Sequence, residues 1–432
     1  MAKKAVLVGC NYPDSKAELR GCVNDVNRVH KTLIDRYGFD KSDITILIDT
    51  DSSLMQPTGE NIKRALNKLV EESESGDVLF FHYSGHGFRL PAEADADDNT
   101  GYDECIVPCD MNLITDDDFR EIVDKVPDGV ILTLISDSCH SGGLINNAKE
   151  QIGESSLQRD NVPSIETKGG GLGVRVRSYL TEKIHGALKN RGIDFSIFGH
   201  TLHSHRRYHH TRDLDEYYQQ VRYVGDGDVR SRSLPVSTLI DILKQKTGND
   251  DLDVGIIRPT LFDMFGRDSS SKVKKFVKIL LQSVHRDHSD GDGSVPHLGR
   301  SSSLAQKFIE HKLDESEDAN EYFKPALEMP VSNCGEAYAG TVGGSTAYKD
   351  RGVLVSGCQT DETSADANLS GDKAEAYGAM SNALQMVLAE NKGPITNYEL
   401  VMELRKVLKK QGFSQRPGLY CADHNVNATF IC

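Results

Sequence analysis

The sequence predicts an α/β fold: a mostly parallel sheet covered by helices on both faces. Two observations carry this. Short β-favouring runs alternate with segments of helical period, and those runs are apolar on both faces, as strands buried between two helical layers must be. A chain of 432 residues, 38% of them hydrophobic, is long enough to bury a substantial core.

The first run is Lys4 to Cys10. Val23, Val26, Val29, Leu33 and Tyr37 then recur at helical spacing across Cys22 to Tyr37. Ile44 to Ile48 gives a second strand. Thr58 is placed to cap an amphipathic helix carrying Ile62, Leu66 and Leu69. Val78 to Tyr83 is a third strand. Thr115 caps a short helix whose first turn holds Asp116, Asp117 and Asp118, where carboxylates favour the helix dipole, ahead of a strand from Val130 to Ile135.

From Gly153 to Ser233 the periodicity fails, through Gly169 to Gly171, a His- and Arg-rich tract from His200 to Arg212, and Gly225-Asp226-Gly227-Asp228. It returns at Leu234 to Lys246, falters, and ends in a strand at Val353 to Ser356 and helices at Ala374 to Glu390 and Thr396 to Gln411. The chain therefore divides into a large region (1–152), a flexible linker (153–233) and a smaller region (234–432) that completes the sheet.

A formal charge of −15 argues against general nucleic-acid binding. The apolar run after Met-Ala-Lys-Lys is too short for a signal-peptide core or a membrane span, so a cytoplasmic protein is expected. Nine cysteines spread along the chain suit free thiols in a reducing compartment. Cys105 and Cys109 have no second close pair, as a structural zinc would need.

Two strand ends carry the chemistry, Phe80-Phe81-His82-Tyr83-Ser84-Gly85-His86-Gly87 and Leu134-Ile135-Ser136-Asp137-Ser138-Cys139-His140-Ser141-Gly142-Gly143. Open parallel sheets bind ligands beyond the carboxyl ends of their strands, and the flanking glycines allow sharp turns that expose amides. A thiol beside an imidazole supplies a nucleophile and a proton carrier for acyl transfer, which points to Cys139 and His86. Asp137, two residues before Cys139 on the same face of an extended chain, favours a substrate with Arg or Lys before the cut and disfavours Asp.

These motifs closely resemble the metacaspases, caspase-fold cysteine peptidases. So do Leu19-Arg20-Gly21-Cys22-Val23-Asn24-Asp25-Val26, Asp103-Glu104-Cys105-Ile106-Val107-Pro108, Gly357-Cys358-Gln359-Thr360-Asp361 and Pro417-Gly418-Leu419-Tyr420-Cys421, and the long insertion is similar to that of the type II plant members. The resemblance implies a caspase-like sheet, a Cys139 nucleophile, a His86 base and an oxyanion hole of the Gly87 and Cys139 amides. It also implies a substrate pocket of Cys22, Asp25, Ser84 and Asp137.

It further implies activation by calcium, with ligands matching Asp103, Asp116, Asp117 and Asn146. Asn146 stands where a fourth carboxylate is expected, which removes a charge from the site. Glu93, Asp95, Asp97 and Asp98 crowd a neighbouring loop, but Gly101 is one place late for an EF-hand and Ile106 occupies its twelfth position. Self-cleavage in the linker is expected at Arg230, with Arg232 and Arg222 as alternatives. The resemblance implies a monomer acting on protein or peptide substrates in stress-, wound- or cell-death-related proteolysis. Three rivals stay open: a non-catalytic interaction protein on the same scaffold, a calcium-regulated binding module, and a legumain-like peptidase.

Overall fold

The computed structural model describes residues 1–91, 102–139, 141–142, 144–145, 148–153, 222–224, 227–250, 252, 257–265, 352–359 and 362–431. In chain order the large region contains β1 (Lys3–Gly9), α1 (Cys22–Asp35), β2 (Ile44–Ile48), α2 (Gly59–Glu71), β3 (Val78–Ser84), β4 (Gly87–Pro91), β5 (Tyr102–Ile106), β6 (Ile114–Thr115), α3 (Asp116–Val123), β7 (Ile131–Asp137) and β8 (Glu150–Ile152). There follow β9 (Arg222–Val224), β10 (Gly227–Ser231), α4 (Val236–Thr247), α5 (Ile257–Phe265), β11 (Val353–Ser356), β12 (Ala365–Asn368), β13 (Tyr377–Gly378), α6 (Ala379–Glu390), α7 (Asn397–Lys410), β14 (Gly418–Tyr420) and α8 (Asp423–Val426).

One seven-stranded sheet, in the order β2-β1-β3-β7-β11-β14-β8, forms the centre. Its first five strands run parallel, and β14 and β8 add antiparallel pairs at one edge. Strand alternation divides the core in two. Val6, Val8, Leu79, Phe81, Leu132 and Leu134 face a cluster with Ile62, Leu66, Phe119 and Leu239. Ala5, Leu7, Phe80, Ile135, Val353 and Val355 face the other, with Val26, Val29, Leu33, Leu384 and Leu404. So α2, α3 and α4 cover one face and α1, α6 and α7 the other, the layering predicted from strands apolar on both sides.

Local signals behave as their chemistry requires. The Thr58 side chain accepts from the Asn61 amide, and Thr115 and Thr396 each close a capping box, with Asp118 and Glu399 respectively. The helix expected from Ala374 begins five residues later, because residues 373–375 form a 3₁₀ turn and 377–378 a strand before α6 starts.

Two smaller sheets stand above the carboxyl ends of the parallel strands. One is the meander β4-β5-β6; the other, in the order β13-β12-β10-β9, takes in residues 222–224 and 227–231 of the expected linker. Strand β10 lies antiparallel to β12, with Asp228 opposite Asn368 and Arg230 opposite Asp366. The end of that segment is therefore a docked strand rather than free chain. Among the described residues no helix is long and apolar enough to cross a membrane.

Candidate active site

Strands β3 and β7 are neighbours in parallel register, Ser84 opposite Asp137, so the turns that follow them carry His86 and Cys139 to the same end of the sheet. Both side chains are buried. The His86 Nε2 lies 2.8 Å from the Ala17 carbonyl oxygen. A carbonyl can only accept, so Nε2 carries the proton and Nδ1, which makes no hydrogen bond, is the basic nitrogen. Burial pushes the imidazole down to about 4, partly opposed by the nearby backbone of Ala17 and Arg232, so the ring is neutral near pH 7. The Cys139 Sγ accepts a hydrogen bond from the Ser364 amide at 2.9 Å, a donor suited to a thiolate.

A tyrosine pair that the sequence motifs did not reveal fixes His86. The Tyr12 hydroxyl accepts from the His86 amide at 2.9 Å and donates to the Val107 carbonyl at 2.6 Å, while the Tyr83 hydroxyl reaches the His86 carbonyl at 2.8 Å. The Tyr12 ring lies over the imidazole with centroids 4.9 Å apart.

The four expected pocket residues converge, and a fifth joins them. Around one fully buried guanidinium, that of Arg232, stand Asp25 at 3.0 Å, Asp137 at 3.4 Å and Asp366 at 3.0 Å. Its Nη1 also donates to the Ser84 hydroxyl at 2.8 Å and the Asp137 carbonyl at 2.7 Å. Cys22 is a buried neighbour of this arginine, and burial pushes its thiol up, so it enters the pocket as a neutral group. Burial works against the arginine's charge, but the surrounding acidic side chains of Asp137, Asp25 and Asp366 outweigh it and hold the guanidinium protonated. Burial also raises Asp25 to about 7, opposed by Arg232 and reinforced by Asp137.

The carboxylates are seated by backbone. The Gly378 amide donates to both oxygens of Asp25 at 3.0 Å, and the Ser381 amide to Asp137 at 2.7 Å. The Arg20 and Gly21 amides grip Asp366 at 2.9 and 3.0 Å.

The main chain of Arg232 completes the arrangement. Its amide donates to the Ser364 carbonyl at 2.9 Å, its carbonyl accepts from the Gly87 amide at 2.9 Å, and the Leu234 amide donates to the Gly87 carbonyl at 3.0 Å. The Arg232–Ser233 segment is thus tied to Gly87, next to His86, and to Ser364, whose amide donates to the Cys139 thiol, with the Arg232 carbonyl oxygen on a strand-end amide. Of the two expected oxyanion donors, Gly87 makes this bond and Cys139 does not. A Cβ on residue 87 would lie 1.7 Å from the Cys139 carbonyl oxygen, so only glycine lets the two turns approach this closely.

Arg230, the expected cut site, lies outside the pocket: its Nε donates to Asp228 at 3.0 Å and its Nη1 to the Glu18 carbonyl at 2.7 Å. It is Arg232, one of the two alternatives, whose side chain occupies the pocket. Residues 228, 230 and 232 of an extended strand share one face, so a slip of two is invisible in the pattern. The side chain of Arg222 and all of Asn146 lie outside the described residues, as do Glu93, Asp95, Asp97, Asp98 and the histidine-rich tract.

Asp103, Asp116 and Asp117 are buried around the start of α3, where Asp117 pairs with Arg120 at 3.0 Å and Asp116 accepts from the Asp117 amide at 2.9 Å. The β5–β6 register, Cys105 opposite Thr115, brings Asp103 toward Asp117 when carried two residues further. Among the described residues no three acidic, histidine or cysteine side chains are grouped to hold a metal ion.

A caspase-like sheet with a cysteine–histidine dyad at its carboxyl edge and an acidic pocket beside it defines a cysteine peptidase. Residues 3–148 match the family model described as metacaspase, peptidase C14 domain. Metacaspase-4 of Arabidopsis thaliana is 53% identical over 435 residues, covering 100% of each chain. Metacaspase-6 and Metacaspase-7 of the same plant are 50% and 49% identical, again over 100% of both chains. The chain belongs to the metacaspase family.

Proposed function

We propose that the protein is an arginine- and lysine-directed endopeptidase made as a self-inhibited precursor, whose first substrate is its own Arg232–Ser233 bond. The observation that carries this is Arg232 itself, with its guanidinium among three carboxylates and its carbonyl on the Gly87 amide. The His86 Nδ1 takes the Cys139 proton as Sγ attacks the Arg232 carbonyl carbon. Negative charge develops on the oxygen facing Gly87, where a preorganised amide stabilises the transition state more than the ground state. The imidazolium then protonates the Ser233 nitrogen, the peptide breaks, and water drawn to His86 hydrolyses the thioester.

Calcium is proposed as the trigger. Buried carboxylates at Asp103, Asp116 and Asp117 are hard-oxygen ligands of the right type, and calcium would supply charge that draws them together in place of the Arg120 pairing. Asn146 would contribute a carbonyl oxygen. This loop adjoins β4 through β5 and β6, and β4 starts at the oxyanion glycine, a direct path from metal to catalytic centre. A cytoplasmic monomer acting in stress- or death-related proteolysis is the role that fits the family.

The test is intact-mass analysis and N-terminal sequencing after adding calcium. A new terminus at Ser233, lost in Arg232→Ala and in Cys139→Ala but kept in Arg230→Ala, is expected. A first terminus at Ser231 would restore the Arg230 assignment, and processing in Cys139→Ala would overturn self-cleavage.

A further inference from the structure

If β10 is bound as a substrate strand, its contacts also map pockets beyond the one for the cut residue. The inference below rests on that reading and extends it to residue selection four positions upstream. Counting back from Arg232, residue 228 is the fifth residue before the cut, and it lies on the same face of the strand as the buried arginine. At that point the cleft changes sign. One Arg20 guanidinium nitrogen, Nη1, spans both oxygens of the Asp228 carboxylate at 3.0 and 3.2 Å. Both side chains are largely buried, 23% and 11% exposed, so the pair is less screened than an ordinary surface bridge.

Arg20 belongs to the fixed wall of the cleft. It lies just before α1, and its own amide grips Asp366 of the arginine pocket. With the Asn368 amide turned so that its oxygen faces Arg20, that oxygen accepts from Nη1 at 3.2 Å and its nitrogen donates to the Asp372 carbonyl at 2.9 Å. Asn368 is the β12 residue directly opposite Asp228. Any substrate strand paired in this register brings its fifth residue to the same guanidinium. In the linker, Arg230 shares the Asp228 carboxylate at 3.0 Å, so the third residue before the cut has to be held constant in any test.

We infer that Arg20 is a specificity-determining residue that selects an acidic side chain at the fifth position before the scissile bond. The preference adds to the basic requirement at the cut residue, and it directs the enzyme to segments in which an acidic residue precedes an arginine by four positions.

The experiment measures kcat/KM on acetylated pentapeptide coumarins, Xaa-Val-Arg-Ser-Arg, with Xaa as Asp, Asn or Lys, using calcium-activated full-length protein. Wild type is expected to favour Asp over Asn by about 5-fold, since a largely buried charge pair contributes on the order of 1 kcal/mol. The ratio should shrink as salt is raised, and Lys should be the poorest. In Arg20→Glu the order should invert, Lys over Asp, a reversal that mere loosening of the cleft would not produce. Equal kcat/KM for Asp and Asn in wild type overturns the inference, even if Arg20→Glu fails to fold. Retention of the Asp preference in a folded Arg20→Glu protein does so too. Failure to cleave any of the three peptides after arginine would instead overturn the peptidase reading on which the inference stands.

Discussion

At the residue scale, the pocket shows how a buried arginine is read by more than one charge. Nη1 is taken by Ser84 and Asp137, and Nη2 by Asp25 and Asp366, so the two ends of the guanidinium are recognised separately. A lysine ammonium is a point charge and cannot reach both groups at once. Asp366→Asn should therefore lower kcat/KM on an Arg peptide by about 100-fold, the effect of truncating one partner of a buried hydrogen-bonded charge pair. The loss on the matching Lys peptide should be smaller. Equal losses on the two would show that Asp366 only shapes the loop. Asp366 was not legible in the sequence: it lies more than 200 residues from Asp137, in the polar run Ala365-Asp366-Ala367-Asn368, with no motif around it. Asp137 was legible from its place two residues before Cys139 on an extended chain, whereas Asp25 and Ser84 were legible only through the family resemblance of the motifs around them.

His82, on β3 behind that pocket, gives a pH-dependent prediction. Its ring is buried against the Ser381 hydroxyl at 3.2 Å, and burial first, then Arg232, lowers it from 6.5 to about 3. Between those values the unfolded chain binds a proton that the folded chain refuses. The group's stabilising contribution is thus complete above pH 6.5 and is lost as pH falls toward 3. His82→Gln keeps a hydrogen-bonding group and removes the titration. Relative to that variant, wild type should lose roughly 1.4 kcal/mol per pH unit below pH 6.5, read from urea midpoints at pH 6.5, 5.5 and 4.5. Parallel curves would show that His82 does not resist protonation.

At the element scale, the parallel strands and their helices were legible, because apolar runs and caps declare themselves. The short strands β8, β12, β13 and β14 were not. They are two to four residues long and carry too few alternations to establish a period, yet β12 and β13 form the wall on which β10 rests. Gly378 of β13 illustrates the cost of missing them. A Cβ there would lie 2.3 Å from the Asp137 carboxylate and 2.5 Å from the Arg232 guanidinium. Gly378→Ala should keep the fold, since the residue has φ −75 and ψ 133, open to any side chain, while filling the arginine pocket. Turnover of Arg peptides should fall by about 100-fold or more through KM, with overpacking placed where the substrate must sit rather than in the core. Unchanged KM with an ordinary melting temperature would place the pocket elsewhere.

At the scale of the whole molecule, the proposed cut after Arg232 would not divide the described residues into two separate bodies. Strand β7, before the cut, pairs with β11 after it, and β14, also after it, pairs with β8 before it. On the small sheet β10 and β12 pair across the same cut. Apolar residues from both sides of residue 232 enter each core cluster: Leu134 with Leu239 and Leu354 in one, and Phe80 with Leu384, Leu404 and Leu419 in the other. Among the described residues neither fragment has a core cluster of its own, so a cut there would change covalent continuity while leaving the hydrophobic burial that sustains the fold. The processed enzyme should elute in size-exclusion chromatography as one species at the volume of the uncut Cys139→Ala protein, and separate into two bands only in denaturant. Its fragments, expressed apart, should be insoluble or unfolded. Elution of a stable fragment ending at Arg232 as a separate peak under native conditions would mean that activation is dissociation. What the cut releases in this arrangement is the tether on Arg232: once the peptide breaks, its hold on the pocket is set by binding equilibrium, and an arginine in another chain can compete for the same three carboxylates.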